Sequence, residues 1–374
     1  MVAVSGRRGL RPRGAALRMA IAAGCVLLAA ACGTAAHPGP AGGVAASAAP
    51  GKITETGSSL LYPLMHSWGV AYQSQSGVSV TTVSTSSGTG ISSASAGTVD
   101  LGASDAYLSS GDVVKNRTLL NIPLVISAQM VMYNLPGVST SAHVSLNGTV
   151  LAEIYEGAIR MWNDPRIAAI NPHVKLPAVK IVPVRRKDSS GDTFLFTSYL
   201  STQNLRWNNS VGYGTIAAWP RVPGELPEKG STGVLQACEA APGCIAYEGI
   251  SYLSKARAAG LGEAALANAA GHYMVPSAAT IQASAASFVS LTPPNETISM
   301  IDGPAVGGYP IVNYEYAVVS SRQPDARTAG ELRAFLRWVV TTGNGASYVD
   351  AVGFAPLPAA LVALGEQQIE EIGS

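Results

Sequence analysis

The sequence predicts an α/β fold, and three observations support this prediction. From about Lys52 onward, short apolar strand patterns alternate with turns rich in Gly and Ser and with helical patterns, an order typical of α/β architecture with parallel strands. Hydrophobic residues make up 47% of the 374 residues, enough for the buried cores of two ordinary domains. Charged residues make up only 13%, which excludes a disordered chain rich in charge.

Each element rests on its own local pattern. The segment KITET alternates like a strand, and after it Leu60, Leu64 and Trp68 recur at helical spacing. Strands are predicted at 52–56, 78–80, 99–103, 122–133, 181–184 and 309–319. Helices are predicted from 60, from 91, over 193–200 and over 330–340, the last as the closing helix. The strand at 122–133 is long enough to leave one domain for another.

The N-terminus has the three parts of an export signal. Five Arg and no acidic residue precede an apolar run at 19–31, which ends in Ala29-Ala30-Ala31 before Cys32. A run of 13 residues is too short for a permanent membrane span. We therefore predict a signal peptide at 1–31 and lipidation of Cys32; ordinary signal cleavage beside an incidental Cys is the alternative.

Residues 32–51 are predicted to be a lipidated flexible tether, because this stretch of Ala, Gly, Pro and Ser can bury little. The whole chain has 24 basic and 23 acidic residues, and removal of the five signal Arg leaves 19 against 23. A mature net charge of about −4 argues against nucleic acid as a partner. The expected location is the outer face of the cell membrane.

Cys238 and Cys244 lie six residues apart around Pro242-Gly243. In an exported protein this spacing favours a small disulfide loop. A metal site is the rival interpretation, although no His or further Cys pair lies nearby to complete four ligands. The five His residues are scattered, so no metal site and no cofactor are predicted.

Three turns rich in Ser or Gly, at 57–60, 84–91 and 189–193, each precede a predicted helix. A helix N-terminus presents unpaired N–H groups and a partial positive charge, and Ser hydroxyls add further donors. One such turn is more often an ordinary helix cap. Three of them in a chain of negative net charge indicate a local anion site.

Five segments carry a resemblance to a known family: TGSSLLYPLMHSW, SSGTG, TVDLGASDAYLS, VRRKDSSGDTFLFTSYLS and YPIVNYEY. Together and in this order they resemble the PstS phosphate-binding proteins of the phosphate ABC importer, from about residue 52 to the C-terminus. CEAAPGCIAYEGISYL and ISMIDGPA look closest to the mycobacterial lipoprotein branch.

The resemblance implies a periplasmic-binding-protein type II fold, in which two α/β lobes are joined by two crossing strands. Lobe I would comprise 52–127 and 309–374, and lobe II would comprise 128–308. The ligand, inorganic phosphate, would lie in the cleft between the lobes. The partners implied are the membrane permease subunits of a phosphate ABC transporter, and the protein itself would be a monomer.

The family's phosphate-binding positions can be carried over residue by residue. They match Ser58, Ser59, the amide of Leu60, Ser87, Asp105, Arg186, Ser190, Gly191 and Asp192. Many relatives have Thr where Asp192 stands, and Thr or Phe where Leu61 and Tyr62 stand, whereas the mycobacterial branch shares the residues found here. Thr89 replaces the usual small Gly or Ala, which predicts a second turn of different shape.

A buried Asp beside phosphate is favourable only if the anion still carries a hydrogen, because an ionised carboxylate only accepts hydrogen bonds. Asp105 is therefore the predicted selectivity element against sulfate, with a turn or cap Asp as the alternative. Arg186 would bind two phosphate oxygens and would be oriented by Asp188; a solvated strand end is the alternative for this basic run. Asp192 is either a ligand or a first-turn helix acid.

Three functions remain open from the sequence. The predicted one is a non-enzymatic protein that binds phosphate and hands it to a permease, with lobe closure coupling capture to delivery. A secreted phosphatase could use the same cradle, but it needs a nucleophile with a base or a metal, and no His stands beside the Ser turns. A binder of another tetrahedral oxyanion would need no carboxylate in its pocket.

Overall fold

The computed structural model describes residues 51–374; the predicted signal peptide, Cys32 and residues 32–50 of the tether lie outside the described residues. The strands are β1 (Lys52–Gly57), β2 (Ser79–Ser84), β3 (Leu101–Ser104), β4 (Leu119–Tyr133), β5 (Ser145–Leu146), β6 (Val182–Arg186), β7 (Leu226–Glu228), β8 (Cys244–Gly249), β9 (Gly262–Glu263), β10 (Ala265–Ala267), β11 (Tyr273–Met274) and β12 (Val312–Ser320).

The α-helices are α1 (Tyr62–Ser76), α2 (Ser87–Ser95), α3 (Ser110–Lys115), α4 (Gly148–Tyr155), α5 (Pro165–Ala169), α6 (Gly191–Gln203), α7 (Leu205–Ser210), α8 (Gly230–Ala240), α9 (Leu253–Ala258), α10 (Ala278–Ala286), α11 (Ala326–Val340), α12 (Ala346–Val349) and α13 (Ala359–Glu370). The expectation that 330–340 closes the chain is wrong. That segment belongs to α11, and α13 follows and packs against α11 and β4.

The principal sheet has the strand order β2-β1-β3-β12-β4-β8-β6-β7, with β9 paired to β4 off this path. β1 is parallel to β2 and to β3, and β6 is parallel to β7 and to β8. The expectation of parallel strands is correct for these two groups and wrong for the strands between them. β12 runs antiparallel to both β3 and β4, and β4 runs antiparallel to β8.

The long strand β4 joins the two groups of parallel strands. Its residues 119–128 pair with β12, and its residues 129–133 pair with β8. The pairing with β12 shifts register between Glu315 and Tyr316, which face Val125 and Pro123. A bulge at this point accommodates a proline inside a strand, because proline has no N–H to donate to the ladder. Thus one continuous strand serves both halves of the sheet.

The core lies on the two faces of this sheet and is rich in aromatic residues. β4 is buried along nearly its whole length, as expected for a strand covered on both faces. On α1 the buried positions include Leu64, Trp68 and Tyr72, the spacing that predicted this helix. Cys238 of α8 and Cys244 of β8 form a disulfide within a second apolar cluster. None of the helices within residues 51–374 combines the length and apolar character that crossing a bilayer requires.

Two glycines let α2 lie directly against β3. A Cβ atom at Gly102 would overlap the carbonyl group of Gly90, and one at Gly90 would approach the carbonyl oxygen of Ala103 to 2.5 Å. Both positions therefore need a residue without a side chain, since close-packed backbone cannot move aside cheaply. This close approach fixes where the N-terminus of α2 lies relative to the ends of β1 and β3.

Gly102→Ala should lower the free energy of unfolding by about 1–3 kcal/mol, the usual cost of overpacking a rigid site. Gly330→Ala is the matched control, because Gly330 lies inside α11 and its Cβ would meet no atom within 4 Å. That variant should gain about 0.5–1 kcal/mol from helix propensity. Urea unfolding followed by circular dichroism measures both, and equal effects of the two substitutions would contradict this account of packing.

Candidate functional site

The sheet topology brings the carboxyl ends of both groups of parallel strands to one place. β1 and β3 run in the same direction as β4, whereas β6 and β8 run in the opposite direction. The two groups therefore point their carboxyl ends at each other across the middle of β4, near Ala128 and Gln129. Helices α1, α2, α6 and α8 start shortly after β1, β2, β6 and β7, so their N-termini face the same crevice.

The first turn leaves two backbone donors free. Ser58 Oγ accepts a hydrogen bond from the amide of Leu61 at 2.9 Å and donates its own hydrogen to Asp105 Oδ1. The amides of Ser59 and Leu60 have no acceptor among the described residues, although both residues are buried. Buried N–H groups are nearly always paired, so this turn is prepared for an acceptor.

The second turn places Ser87 over the end of β3. Ser87 Oγ accepts a hydrogen bond from the amide of Asp105 at 3.1 Å, and Ser86 caps α2 by accepting from the amide of Thr89. The side chain of Thr89 turns to Ser86, with their hydroxyl oxygens 2.9 Å apart, and the residue is exposed. Thr89 therefore adds a hydroxyl contact at the N-cap of α2, and a different shape of this turn stays a prediction.

The third turn meets the other two directly. A Cβ atom at Gly191 would overlap both Asp105 Oδ2 and Ser87 Oγ, so a glycine is needed for this close approach. The amides of Gly191 and Asp192 start α6 and have no acceptor within residues 51–374. Ser190 Oγ lies 3.4 Å from Asp192 Oδ2. All nine residues predicted for the site thus lie in one buried cluster.

Arg186, the last residue of β6, is the cation of this cluster and is only 2% exposed. Its guanidinium group lies 2.5 Å from Asp192 Oδ2, 3.2 Å from Ser59 Oγ and 2.8 Å from Asp188 Oδ1. Burial alone would lower the pKa of Arg186, but the hydrogen bond that Arg186 donates to Asp188 and the charge of Asp192 outweigh burial and raise it. The guanidinium therefore stays charged at every accessible pH.

The neighbours of Arg186 point elsewhere, as the alternation of a strand requires. Arg185 forms two hydrogen bonds with Glu225, at 3.1 and 3.0 Å, and lies over the ring of Trp219. The side chain of Lys187 is 52% exposed. The solvated-strand-end interpretation is thus correct for Lys187 and wrong for Arg186, whose partner Asp188 orients it as predicted.

Asp192 faces the site from the first turn of α6. Besides the contact with Arg186, its Oδ1 accepts a hydrogen bond from Gln129 Nε2 of β4 at 3.1 Å. Burial raises the pKa of Asp192 to about 7, and the nearby charge of Asp105 adds to this while Arg186 opposes it. Asp188 differs: burial would raise its pKa, but the hydrogen bond and charge of Arg186 lower it.

Two buried glutamates of the site were not predicted from the sequence. Glu315 of β12 lies beside Asp105, and burial followed by the charge of Asp105 raises the pKa of Glu315 well above its usual value. Burial likewise raises the pKa of Asp105. Glu248 of β8 lies near Asp192 and hydrogen-bonds Ser231, and burial raises its pKa to about 8. Their signal in the sequence is a charged residue inside an otherwise apolar strand.

Ser231, in the first turn of α8, extends the cluster to a fourth helix start. Its Oγ lies 2.8 Å from Ser59 Oγ, and its amide donates to Ser59 Oγ at 3.3 Å. Asp188 Oδ1 accepts a hydrogen bond from the amide of Gly230 at 3.3 Å. This bond links the start of α8 to the ion pair of Arg186 and Asp188. The site consequently combines backbone donors, hydroxyl groups, one guanidinium and several carboxyl groups.

This combination suits a small oxyanion that also carries hydrogen. The free amides and Arg186 donate to anionic oxygens, while Asp105 and Asp192 can accept only from an O–H group. Within residues 51–374 no group of three or more His, Cys, Asp or Glu side chains is arranged to hold a metal ion.

Comparison with known proteins places this geometry in a family. The model of the PBP superfamily domain matches residues 43–342. The phosphate-binding protein PstS of Xylella fastidiosa is 32% identical over 311 residues, which cover 83% of this chain and 83% of that protein. Phosphate-binding protein PstS 3 of Mycobacterium leprae is 31% identical over 287 residues, which cover 73% of each protein.

Solved structures confirm the predicted type of fold. A high affinity periplasmic phosphate-binding protein, PfluDING, bound with phosphate at pH 8.5, aligns with a TM-score of 0.66 at 22% identity, over 86% of this chain and 99% of that one. A putative phosphate ABC transporter substrate-binding protein with bound phosphate, from Clostridium perfringens, aligns with a TM-score of 0.57 at 13% identity, over 82% and 100%. At these identities the similarity concerns the fold.

Asp192→Asn should flatten the pH dependence of stability. Because the pKa of Asp192 is raised to about 7, the folded protein keeps a proton that the unfolded chain has already released. The stabilisation that this proton represents is complete below the pKa of the unfolded chain, about 4, and is lost as the pH rises through about 7.

Urea unfolding in phosphate-free buffer, at pH values between about 4 and 8, should show the free energy of unfolding falling less in Asp192→Asn than in the unsubstituted protein. The difference should reach at least about 1.4 kcal/mol, the value of one pH unit of pKa shift. Glu366→Gln, at an exposed carboxyl on α13, serves as the control and should keep the original slope. Parallel curves for all three proteins would contradict the assignment.

Proposed function

Since this chain belongs to the family of PstS phosphate-binding proteins within the PBP superfamily, we propose that it binds inorganic phosphate outside the cytoplasm and delivers it to an ABC-type phosphate permease. The observation that carries the proposal is the convergence of three helix starts, two of them with free amides, around one buried guanidinium, that of Arg186. A desolvated anion is stabilised there by peptide dipoles and hydrogen bonds.

Nine residues are the proposed ligands of phosphate. The first turn offers its hydroxyl groups and amides, the second offers a hydroxyl group, and the third offers amides and a hydroxyl group. Arg186 supplies the positive charge, and the two aspartates accept hydrogen bonds from the ligand. The set is Ser58, Ser59, Leu60, Ser87, Asp105, Arg186, Ser190, Gly191 and Asp192.

Asp105 gives the site its proposed selectivity. Phosphate near neutral pH keeps at least one O–H group and can donate it to Asp105, whereas sulfate has no hydrogen to donate. Sulfate would bring a second negative charge against a buried carboxylate that has lost its hydrogen bond, at a cost of several kcal/mol. A second acceptor at Asp192 favours either the dihydrogen form of phosphate or a protonated Asp192.

Two lobes are proposed around this site. Lobe I comprises 52–127 and 309–374, lobe II comprises 128–308, and the crossing strands between them include β4. A hydrogen bond of 2.9 Å joins the amide of Gly88 to the carbonyl oxygen of Ser189, so the second and third turns touch over the site. Closure that depends on the ligand would give the permease a state to recognise.

The proposed setting is the outer face of the cell membrane. Cys32 would carry the lipid and residues 32–51 would form the tether, so that the monomeric globular part lies near the permease. The proposal is binding without catalysis, and the phosphatase alternative is tested together with it below.

Asp105→Asn should weaken phosphate binding and relax selectivity. Asparagine keeps the shape of the side chain but offers one oxygen acceptor and an NH₂ donor, which sulfate can use. The ratio of phosphate to sulfate affinity should fall at least about tenfold, equivalent to 1.4 kcal/mol. Calorimetric titration with each anion measures this ratio.

Asp325→Asn is the control for this titration, because Asp325 is the N-cap of α11 and Asn caps equally well. Its selectivity should match that of the unsubstituted protein. Unchanged selectivity in Asp105→Asn would refute the role of Asp105, and steady release of phosphate from a phosphate ester by the purified protein would favour the phosphatase.

Cys32→Ser should move the protein from the membrane fraction to the soluble extracellular or periplasmic fraction, because Ser cannot carry the thioether-linked lipid. Cell fractionation with metabolic labelling by a fatty acid measures both properties. Cys25→Ser is the control within the signal segment and should leave labelling unchanged. Labelling that persists in Cys32→Ser would rule out this anchor.

A further inference from the structure

The strand register brings a second carboxyl group directly behind Asp105. In the antiparallel pairing of β12 with β3, Tyr316 is opposite Ser104 and Ala317 is opposite Ala103. The pairing ends there: Asp105 follows the last residue of β3, and Glu315 precedes Tyr316 on β12. Asn313 Nδ2 donates to the carbonyl oxygen of Asp105 at 3.3 Å and to Glu315 Oε1 at 2.8 Å, so Asp105 and Glu315 are neighbours.

The hydrogen bonds of Glu315 leave one of its oxygens in an unusual state. Oε1 lies 2.8 Å from Asn313 Nδ2 and 2.5 Å from Ser127 Oγ, both of which can donate to it. Oε2 is buried and has no hydrogen-bond partner among the described residues. The side chain of Glu315 is 0% exposed, so it is shielded from bulk solvent.

The two adjacent carboxyl groups of Asp105 and Glu315 are compatible if one of them carries a proton. Two ionised carboxylates in contact offer only acceptors to each other, and their charges repel in a buried site, so one of them keeps a hydrogen. That hydrogen then makes the hydrogen bond between Glu315 and Asp105.

The surrounding groups decide which carboxyl keeps the proton. Burial raises the pKa of Asp105 and the charge of Arg186 opposes this, whereas burial and the charge of Asp105 both raise the pKa of Glu315. β4 faces Glu315 with Ser127, which does not titrate, and β12 itself adds Tyr316. Helices α2 and α10, which pack on β12, carry no ionisable side chain. The negative charge therefore resides on Asp105, and the hydrogen stays on Glu315.

We propose that Glu315 is a positioning residue of the phosphate site. Its protonated carboxyl group donates a hydrogen bond to Asp105, and this bond keeps Asp105 ionised and oriented as an acceptor. The effect of Glu315 on phosphate affinity rests on the proposed function, whereas the position of the proton does not. Glu315 is not one of the nine proposed ligands of phosphate, yet its proton determines whether Asp105 is ionised and can accept a hydrogen bond from phosphate. When Glu315 ionises at alkaline pH, a second buried negative charge stands behind the ligand and phosphate binding weakens.

The test compares two substitutions. In Glu315→Gln the amide NH₂ can donate to Asp105 and the amide oxygen can accept from Asn313 and Ser127, but the side chain cannot ionise. In Glu315→Val the donor is lost in a residue that suits a strand. The titrant is inorganic phosphate, and dissociation constants are measured by calorimetry between about pH 6 and pH 9, a range that lies above the ordinary pKa of a glutamate.

At the acidic end Glu315→Gln should bind phosphate within about threefold of the unsubstituted protein, and Glu315→Val should bind at least about tenfold more weakly. Toward pH 9 the unsubstituted protein should lose at least about tenfold more affinity than Glu315→Gln, because only the former gains a charge. Glu296→Gln, at a buried glutamate bonded to Gln368, is the control and should follow the unsubstituted profile. Parallel profiles for Glu315→Gln and the unsubstituted protein would overturn the proposal.

Infrared spectroscopy gives a readout that does not depend on phosphate. The ligand-free protein near pH 7 should show carbonyl absorption of protonated carboxylic acids, to which Asp192 and Glu248 also contribute, and Glu315→Gln should lose one component of this band. Glu366→Gln, at an exposed position, should leave the band unchanged. If Glu315→Gln loses this component but the unsubstituted protein binds no phosphate, the proton assignment stands and the proposed function fails. If phosphate binds but the band is the same in Glu315→Gln, this inference fails alone.

Discussion

The structure depends on the burial of one guanidinium among more carboxyl groups than it can neutralise. Arg186 pairs with Asp188 and Asp192, and further acidic groups lie close by at Asp105, Glu248 and Glu315. A buried charge is tolerated only with partners and hydrogen bonds, so the surplus acids must keep protons. In the proposed site, the number of protons held in the crevice therefore determines which anion binds, more than the net charge of the protein does.

The reversal of strand direction across β4 makes this arrangement possible. A single parallel sheet would collect helix N-termini along one edge, whereas two groups of strands pointing at each other enclose the anion from both sides. β4 runs through both groups, and β12 places Glu315 beside the end of β3. The positive ends of helix dipoles then act over short distances in a water-poor site, where they are strongest.

Local patterns in the sequence predicted the turns that hold the proposed phosphate ligands, but not the buried glutamates behind them. Ser and Gly before a helical pattern have one dominant physical meaning, so the turns around Ser58, Ser87 and Gly191 were predicted correctly. Glu315 could not be placed in the same way, because its role depends on pairing between β12 and β3, which are about two hundred residues apart. The usable signal was the alternation of Asn313 and Glu315 in an apolar strand, since two polar residues on one face of a buried strand require partners.

The same reasoning explains why the sequence predicted parallel strands throughout. Each strand–turn–helix unit is local and favours a parallel neighbour, but the direction of β4 and β12 is set by their passage between two groups of strands.

Contact between the second and third turns ties anion recognition to the closed form. The amide of Gly88 donates to the carbonyl oxygen of Ser189, and a Cβ atom at Gly88 would overlap the Ser189 side chain. These backbones can touch only when the segments before α2 and α6 come together, and the free amides of Gly191 and Asp192 then lie beside Asp105. Exclusion of water at that moment strengthens every donor and acceptor of the site and raises the cost of any that remain unpaired. In the proposed closed form, an anion without a hydrogen gives Asp105 no donor beyond those of the protein, so discrimination would accompany closure.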